Sequence, residues 1–276
     1  MRSALVALML GATALNAPLH AQTVQLRIKP HAGDTLRMQL DQQTEMTGTH
    51  YTSGGEASNL VVTTMQMYSR AVVEGIADDG TNVLAVTDSV RVQTTDERSR
   101  GDAARVEAQM RGQRVRFRVA PDGMVGMVEM SDGTPREVAQ VVSLMPAAFP
   151  RGKIKVGESW IREMALPSGT QLGAQISGKL HVTFRLDSVT HGGEWAFVSM
   201  RGEMVPVAGP PAGTGTVIEK GVVNGTMLVD QRRGWLTQSW FAISVSSVVT
   251  PPLVTGVGPM HMLMRITQHM HTLERR

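Results

Sequence analysis

Apolar and polar residues alternate along much of this chain with a period of two, which places neighbouring side chains on opposite faces of a β-strand. Residues 35–41 alternate in this way, and so do residues 179–187, where leucine, valine and phenylalanine occupy every second position. Near the C-terminus, methionine or isoleucine stands at every second position of residues 260–266. Each of these patterns predicts a strand with one buried face and one solvated face.

Short turn sequences separate the alternating segments. Residues 78–80 (DDG), 121–123 (PDG) and 191–193 (HGG) are typical of tight turns between antiparallel neighbours. The two segments around the first turn, residues 60–76 and 82–95, are long, and at ~3.3 Å per residue each would extend roughly 45 Å or more. Arms of this length favour a strongly curved and twisted sheet.

One segment has the pattern of a helix. In residues 134–145, three valines and a methionine share one stripe, Pro135 suits the first turn, and Pro146 follows the last residue. The sequence therefore predicts a mainly β protein with one short central helix and a long curved antiparallel sheet, arranged in two layers or as a half-barrel. The helix would join residues 22–132 and 149–276 as halves of a single domain, since no polar linker separates them.

The N-terminal residues have the composition of a secretory signal peptide. Arg2 supplies a basic start, residues 4–15 are mostly apolar, and Ala21 is a small residue suited to cleavage. We therefore expect residues 1–21 to be removed and residues 22–276 to be exported, to the periplasm or beyond the cell. The apolar run is shorter than the ~20 residues of a membrane-spanning helix, so we expect the mature chain not to span a membrane.

Composition excludes several functional classes. The chain has no cysteine, which rules out disulfides, thiolate metal sites, cysteine nucleophiles and a lipid anchor on an N-terminal cysteine. Its 27 Lys and Arg against 24 Asp and Glu leave it close to neutral, and the basic residues are dispersed. The densest group is Arg111, Arg114, Arg116 and Arg118, and the last three would form one solvated face of a strand. We therefore predict no nucleic-acid partner.

No catalytic signature is present in the sequence. Residues 157–160 (GESW) place Ser159 after a carboxylate, but the second glycine of a serine-hydrolase elbow is missing. Phosphate-binding loops, dinucleotide fingerprints and zinc-protease motifs are likewise absent. We predict a protein without enzymatic activity and without a cofactor, an unrecognised hydrolase being the alternative.

Four segments together resemble a family of exported bacterial β-rich proteins that is defined only as a domain of unknown function and includes hypothetical secreted proteins and lipoproteins. These segments are residues 29–36 (KPHAGDTL), 73–92 around Asp79 and Gly80, 149–160 from Phe149 to the GESW sequence, and 215–239 around Asp230 and Gly234. The lipoprotein members of the family need a cysteine that this chain lacks. The resemblance implies export and a β-rich fold, and it implies no catalytic residue.

A tract of methionine and histidine near the C-terminus is a candidate metal-binding segment. Thioethers suit Cu(I) and imidazoles suit Cu(II), so a periplasmic copper-binding protein is one hypothesis. In a strand, however, Met260, Met262 and Met264 would share one face and the histidines the other. Only His269 and His271 are near enough to share an ion, at roughly 7 Å between Cα atoms. We predict instead that the methionines pack in a core and that these histidines are solvated.

The pattern as a whole favours a binding or carrier module. A curved sheet with a methionine-rich apolar face can hold a hydrophobic ligand, because methionine side chains adapt to ligands of variable shape. The partner would be a lipid, another apolar ligand or an envelope protein. The alternative function is a structural or protein-interaction module of the cell envelope. The residues predicted to contact an apolar ligand are Leu180, Val182, Phe184, Met260, Met262 and Met264.

Overall fold

A computed structural model of the chain describes residues 23–52, 55–130, 148–165, 178–206, 215–250 and 258–273. The first half of the chain forms the following elements: β1 (Thr23–Val24), β2 (Thr35–Thr52), β3 (Gly55–Ala77), β4 (Gly80–Thr94), a 3₁₀ turn (Glu97–Ser99), α1 (Arg100–Met110), β5 (Arg114–Val119) and β6 (Val125–Met130). The second half forms these: β7 (Ile154–Lys155), β8 (Ser159–Ala165), β9 (Gly178–Thr190), a 3₁₀ turn (His191–Gly193), β10 (Trp195–Pro206), β11 (Gly215–Asp230), β12 (Trp235–Thr250) and β13 (Met260–Leu273).

Eleven of the strands form one antiparallel sheet in the order β6-β5-β4-β3-β2-β13-β12-β11-β10-β9-β8, which is not closed into a barrel. Neighbouring strands of this sheet follow each other in sequence, apart from β13 and β2, and its two edges are β6 and β8. β1 and β7 form a separate pair. The predicted mainly β class, with a long antiparallel sheet and one short helix, is therefore confirmed.

The helix that the structure describes is α1, which the sequence pattern does not predict. It connects β4 to β5 and has no buried residue, so it lacks an apolar stripe. Hydrogen bonds and ion pairs hold it instead. Glu107 accepts a hydrogen bond from the Val92 amide and pairs with Arg111. At the preceding turn, the Ser99 hydroxyl and the Arg98 amide donate to Asp96 and lower the pKa of that carboxyl. The predicted helix 134–145 lies outside the described residues.

A strap across one end of the sheet shows that the sheet curls. We call residues 25–30 the strap. The Ile28 amide donates to the Pro121 carbonyl at 2.9 Å, and the next amide, of Lys29, donates to the Gly234 carbonyl at 2.8 Å. These carbonyls lie within about 10 Å of each other because adjacent amides bind them both. They belong to turns beside β5 and β12, which stand five strand spacings apart, about 24 Å in a flat sheet.

The apolar side chains occupy the concave face of this curled sheet. Directly paired residues of antiparallel strands point to the same face. The ladder pairs Met264 with Met46 on one side and with Val245 on the other. One buried cluster contains residues of β5, β9, β10 and β11 together with Leu26 and Ile28 of the strap. The concave face is thus a trough, and the strap covers it at the end where Pro121 and Gly234 lie.

Candidate functional site

The far half of the trough, away from the strap, has a partly covered floor in which apolar side chains lie among polar ones such as Thr44 and His50. On the central strands β2, β3 and β13, Leu40, Ala71 and Met270 are buried near the strap. Toward the far end, side chains on the same face are half-buried. Many of them are methionines, whose flexible thioether side chains fill irregular spaces. We call this set the methionine floor: Met46, Val61, Met65, Val249, Met260, Met262 and Met264.

The six predicted ligand contacts lie on this one face but in two environments. Met260, Met262 and Met264 of β13 belong to the methionine floor and are half-buried. Leu180, Val182 and Phe184 of β9 are buried, the last two completely, and belong to the core cluster. The β9 residues therefore form a packed wall of the trough, and the β13 residues form the part that an added molecule can reach.

Aromatic packing fixes the wall at the edge of the sheet. Trp160 of β8 stacks on Phe184 with ring centroids 5.6 Å apart. Its indole N–H donates to the Ala148 carbonyl at 2.6 Å, and Arg162 donates to the Phe149 carbonyl. Phe149 is buried in the core cluster. These bonds attach the segment before β7 to the edge of the sheet.

Glycines on the concave face of β11 let methionine side chains lie flat against the sheet. A Cβ atom added to Gly221 would come within 2.5 Å of Met204 Cε, and one added to Gly225 would come within 2.5 Å of Met200 Cε. Both glycines point into the trough, since Gly225 pairs directly with Met200. The sulfur-bearing lining thus continues from the floor onto the β10–β11 wall.

The convex face carries the two histidines of the tract. His269 and His271 are half-buried and their ring centroids are 5.3 Å apart, so the prediction that they are solvated is wrong. Pairing in the ladder places Asp41 of β2 directly opposite His269. Sequence reasoning missed Asp41, because nothing in the local pattern signals that β2 and β13 are neighbours. The methionine floor is on the other face, so histidine and methionine do not converge.

Ser159 lies in a turn and strand entry. Gly157 adopts a positive φ of 89°, which provides the bend before β8. Glu158 accepts a hydrogen bond from the Lys155 amide at 2.9 Å. Ser159 is exposed and, within the described part of the chain, has no side-chain hydrogen bond to a base. The arrangement offers no activated nucleophile there.

A small polar cavity of about 210 Å³ lies at the strap end of the sheet. Asp230 accepts hydrogen bonds there from the Arg232 and Arg233 amides, and Arg232 contacts Glu194. The acidic and basic side chains of this cavity therefore pair with each other. It is polar, unlike the trough, and it does not suit an apolar ligand.

Comparison with known proteins gives similarity of fold alone. No protein-family model matches the chain, and no curated protein matches it. Among solved structures, the fold is similar to part of lipovitellin, in a structure that concerns lipid–protein interactions, with a TM-score of 0.53 and 10% sequence identity. That match covers 89% of this chain and 26% of lipovitellin, so the chain spans about a quarter of its length.

Two further structures match at a TM-score of 0.22 and support no conclusion about this chain. One is DynF from the dynemicin biosynthesis pathway of Micromonospora chersina, at 8% identity, covering 93% of this chain and 88% of the other. The second is an outer membrane channel from Pseudomonas putida F1, at 9% identity, covering 90% and 98%. Within the described residues, no helix has the length and apolar character needed to cross a membrane.

Proposed function

We propose that this protein is an exported carrier that holds a lipid-like ligand against the methionine floor. The observation behind the proposal is the trough itself, a concave apolar face that is packed and strapped at one end and half-exposed at the other. A ligand of this class would place its acyl chain over Met46, Met260 and Met262 and leave its polar end toward the open side.

Energetics favour a flexible apolar ligand over water on this floor. Burying apolar surface contributes roughly 25 cal/mol for each Å² removed from water. Met260 and Met262 are half-buried and are not part of the packed core cluster. Their flexible side chains can adjust to an acyl chain with several conformations. The same face also carries Thr44 and His50 beside the methionines, so the polar end of such a ligand would have hydrogen-bond partners as well.

The likeness to lipovitellin supports the same choice of ligand. The structure of that protein concerns lipid–protein interactions, and about a quarter of it is similar in fold to most of this chain. The signal-peptide composition of residues 1–21 supports the proposed export. We also propose that the protein belongs to the exported family of unknown function and that it has no enzymatic activity.

A charge placed on the floor should abolish binding of an apolar probe. Met262→Asp would put a carboxylate against the acyl chain, so we expect the affinity for a dansyl-labelled undecanoic acid to fall at least about tenfold, since a buried unpaired charge costs several kcal/mol. Dansyl fluorescence during titration of the purified, delipidated protein measures this change.

The neighbouring Leu263→Asp variant is the matched control. Leu263 is 49% exposed and its side chain points to the convex face. We expect unchanged probe affinity for this variant. Equal loss in both variants would show that charge anywhere on β13 disturbs binding, and equal retention would show that the floor is not the ligand site.

The sheet edges support the alternative function, a protein-interaction module. Within the described residues, β6 and β8 each pair with one neighbour, so the outer side of each presents backbone groups that have no strand partner there. On β8, Ile161 is 66% exposed. A partner protein that adds a strand to β8 would pair these groups and cover this side chain. Ile161→Lys should then abolish co-purification of the partner and leave probe binding unchanged.

A further inference from the structure

Three groups of metal-ligand type meet on the convex face of the central strands. Each of Asp41, His269 and His271 offers one ligand atom, and the three atoms lie within 4.8 Å of one another. It is the one set of three or more such residues within the described part of the chain. The register of β2 and β13 brings these three side chains together. Asp41 and His269 are direct partners across the two strands, and His271 lies two residues further along the same face.

Two neutral side-chain amides orient the carboxylate of Asp41. The Gln39 amide donates to one of its oxygens at 2.8 Å, and the Gln66 amide donates to the other at 2.9 Å. Both donors are neutral, and Asp41 has no ion pair within the described residues. Neutral amide donors hold a ligating carboxylate in place. Because they carry no positive charge, they do not compete with a cation for it.

The two imidazoles differ in their surroundings. The Gln238 side-chain nitrogen lies 3.1 Å from His269 Nε2. His271 Nδ1 is enclosed, and within the described residues it has no hydrogen-bond partner. A buried ring nitrogen without a partner is costly, because its desolvation is not repaid. A metal ion bound by this cluster would repay part of that cost if this nitrogen were the ligand.

We propose that Asp41, His269 and His271 bind one divalent transition-metal ion. Two imidazoles and a carboxylate suit Zn²⁺ or Cu²⁺, and water would complete a four-coordinate site. Tetrahedral ligands about 2.1 Å from an ion are about 3.4 Å apart, so the side chains would close by at most about 1.4 Å. The hard ions Mg²⁺ and Ca²⁺ prefer sites built from oxygen ligands and would bind poorly.

The geometry changes the copper hypothesis in one respect. A Cu(I) site would use methionine sulfur together with imidazole. Met262, Met264 and Met270 point to the concave face, opposite the two histidines. The ion would therefore be divalent and bound only by nitrogen and oxygen. Because it lies on the convex face, this site is independent of the proposed lipid carrier.

Calorimetric titration of the metal-free protein with ZnCl₂ and with CuSO₄ tests the proposal. We expect one equivalent of each ion to bind, and no binding of MgCl₂. His269→Ala and Asp41→Asn should each weaken binding by at least about 100-fold, because even residues that only orient a ligand typically contribute 10- to 100-fold. Circular dichroism and thermal unfolding confirm that the variants are folded, and the near-isosteric Asp41→Asn variant preserves the local packing.

His261→Ala is the matched control, since His261 lies on the same strand and the same face, about 26 Å from His269 at ~3.3 Å per residue. It should bind each ion like the unaltered protein. Electron paramagnetic resonance of the Cu²⁺ form should show two coordinated imidazoles, and one after His269→Ala. The proposal is overturned if millimolar Zn²⁺ and Cu²⁺ fail to bind, or if the His269→Ala and Asp41→Asn variants bind like the control.

Discussion

Phe184→Ala should lower the free energy of unfolding by about 3–5 kcal/mol, as removal of a buried aromatic side chain typically does. Phe184 is completely buried on β9, pairs with Met200 on β10, and stacks on Trp160. Its loss would leave a cavity between the wall of the trough and the edge strand β8. Urea unfolding followed by circular dichroism measures the change.

Ile161→Ala is the control for that experiment. Ile161 follows Trp160 on β8, but its side chain is 66% exposed on the opposite face. It should change stability by no more than about 0.5 kcal/mol, as most surface substitutions do. Comparable losses in the two variants would mean that edge strand β8 itself, and not the packed wall, limits stability.

Gly234→Ala should destabilise the protein by about 3–5 kcal/mol and loosen the strap. Gly234 has φ of +60°, and a Cβ atom there would lie 2.2 Å from the Lys29 carbonyl oxygen. The left-handed conformation costs an alanine about 1–2 kcal/mol. The collision would also displace the strap, whose Leu26 and Ile28 are buried, and each buried side chain contributes roughly 1.5–3 kcal/mol. Urea unfolding and amide hydrogen exchange of residues 25–30 report the two effects.

Gly192→Ala separates conformational strain from the strap contact. Gly192 has nearly the same φ, +66°, in the turn between β9 and β10, and a Cβ atom there would have no neighbour within 4 Å. We expect a loss of about 1–2 kcal/mol without faster exchange in the strap. If Gly234→Ala cost no more than this control, the strap would contribute little to the closed end of the trough.

The strands were predictable from the sequence because their signals are local. Alternation in residues 179–187 and 260–266 identified β9 and β13, and turn sequences such as residues 78–80 (DDG) identified antiparallel neighbours. The separation of methionine and histidine on β13 also follows from the period of two. The half-burial of His269 does not follow from it, because side chains of the neighbouring strands β2 and β12 cover that ring.

α1 and the curl of the sheet were not predictable. α1 buries no residue, so periodicity has no apolar stripe to detect, and its ion pairs use residue types that are common on any surface. The curl depends on consecutive amides of Ile28 and Lys29 bonding two turns that are remote in sequence. Backbone hydrogen bonds of this kind leave no mark on side-chain composition.

The two candidate sites also differ in how far the sequence predicts them. The apolar face of β13 was evident from Met260, Met262 and Met264 alone. The metal cluster needed Asp41, which becomes a neighbour of His269 only through the pairing of β2 with β13. Long-range pairing of this kind decides which half-buried polar residues meet, and the local pattern does not encode it.

Native mass spectrometry of the protein purified without detergent from the cells that make it tests the carrier proposal most directly. We expect a complex whose added mass is that of a lipid, retained by Leu263→Asp and lost by Met262→Asp. A protein of bare mass, a complex with another protein in place of lipid, or a lipid complex that Met262→Asp retains in full would contradict it.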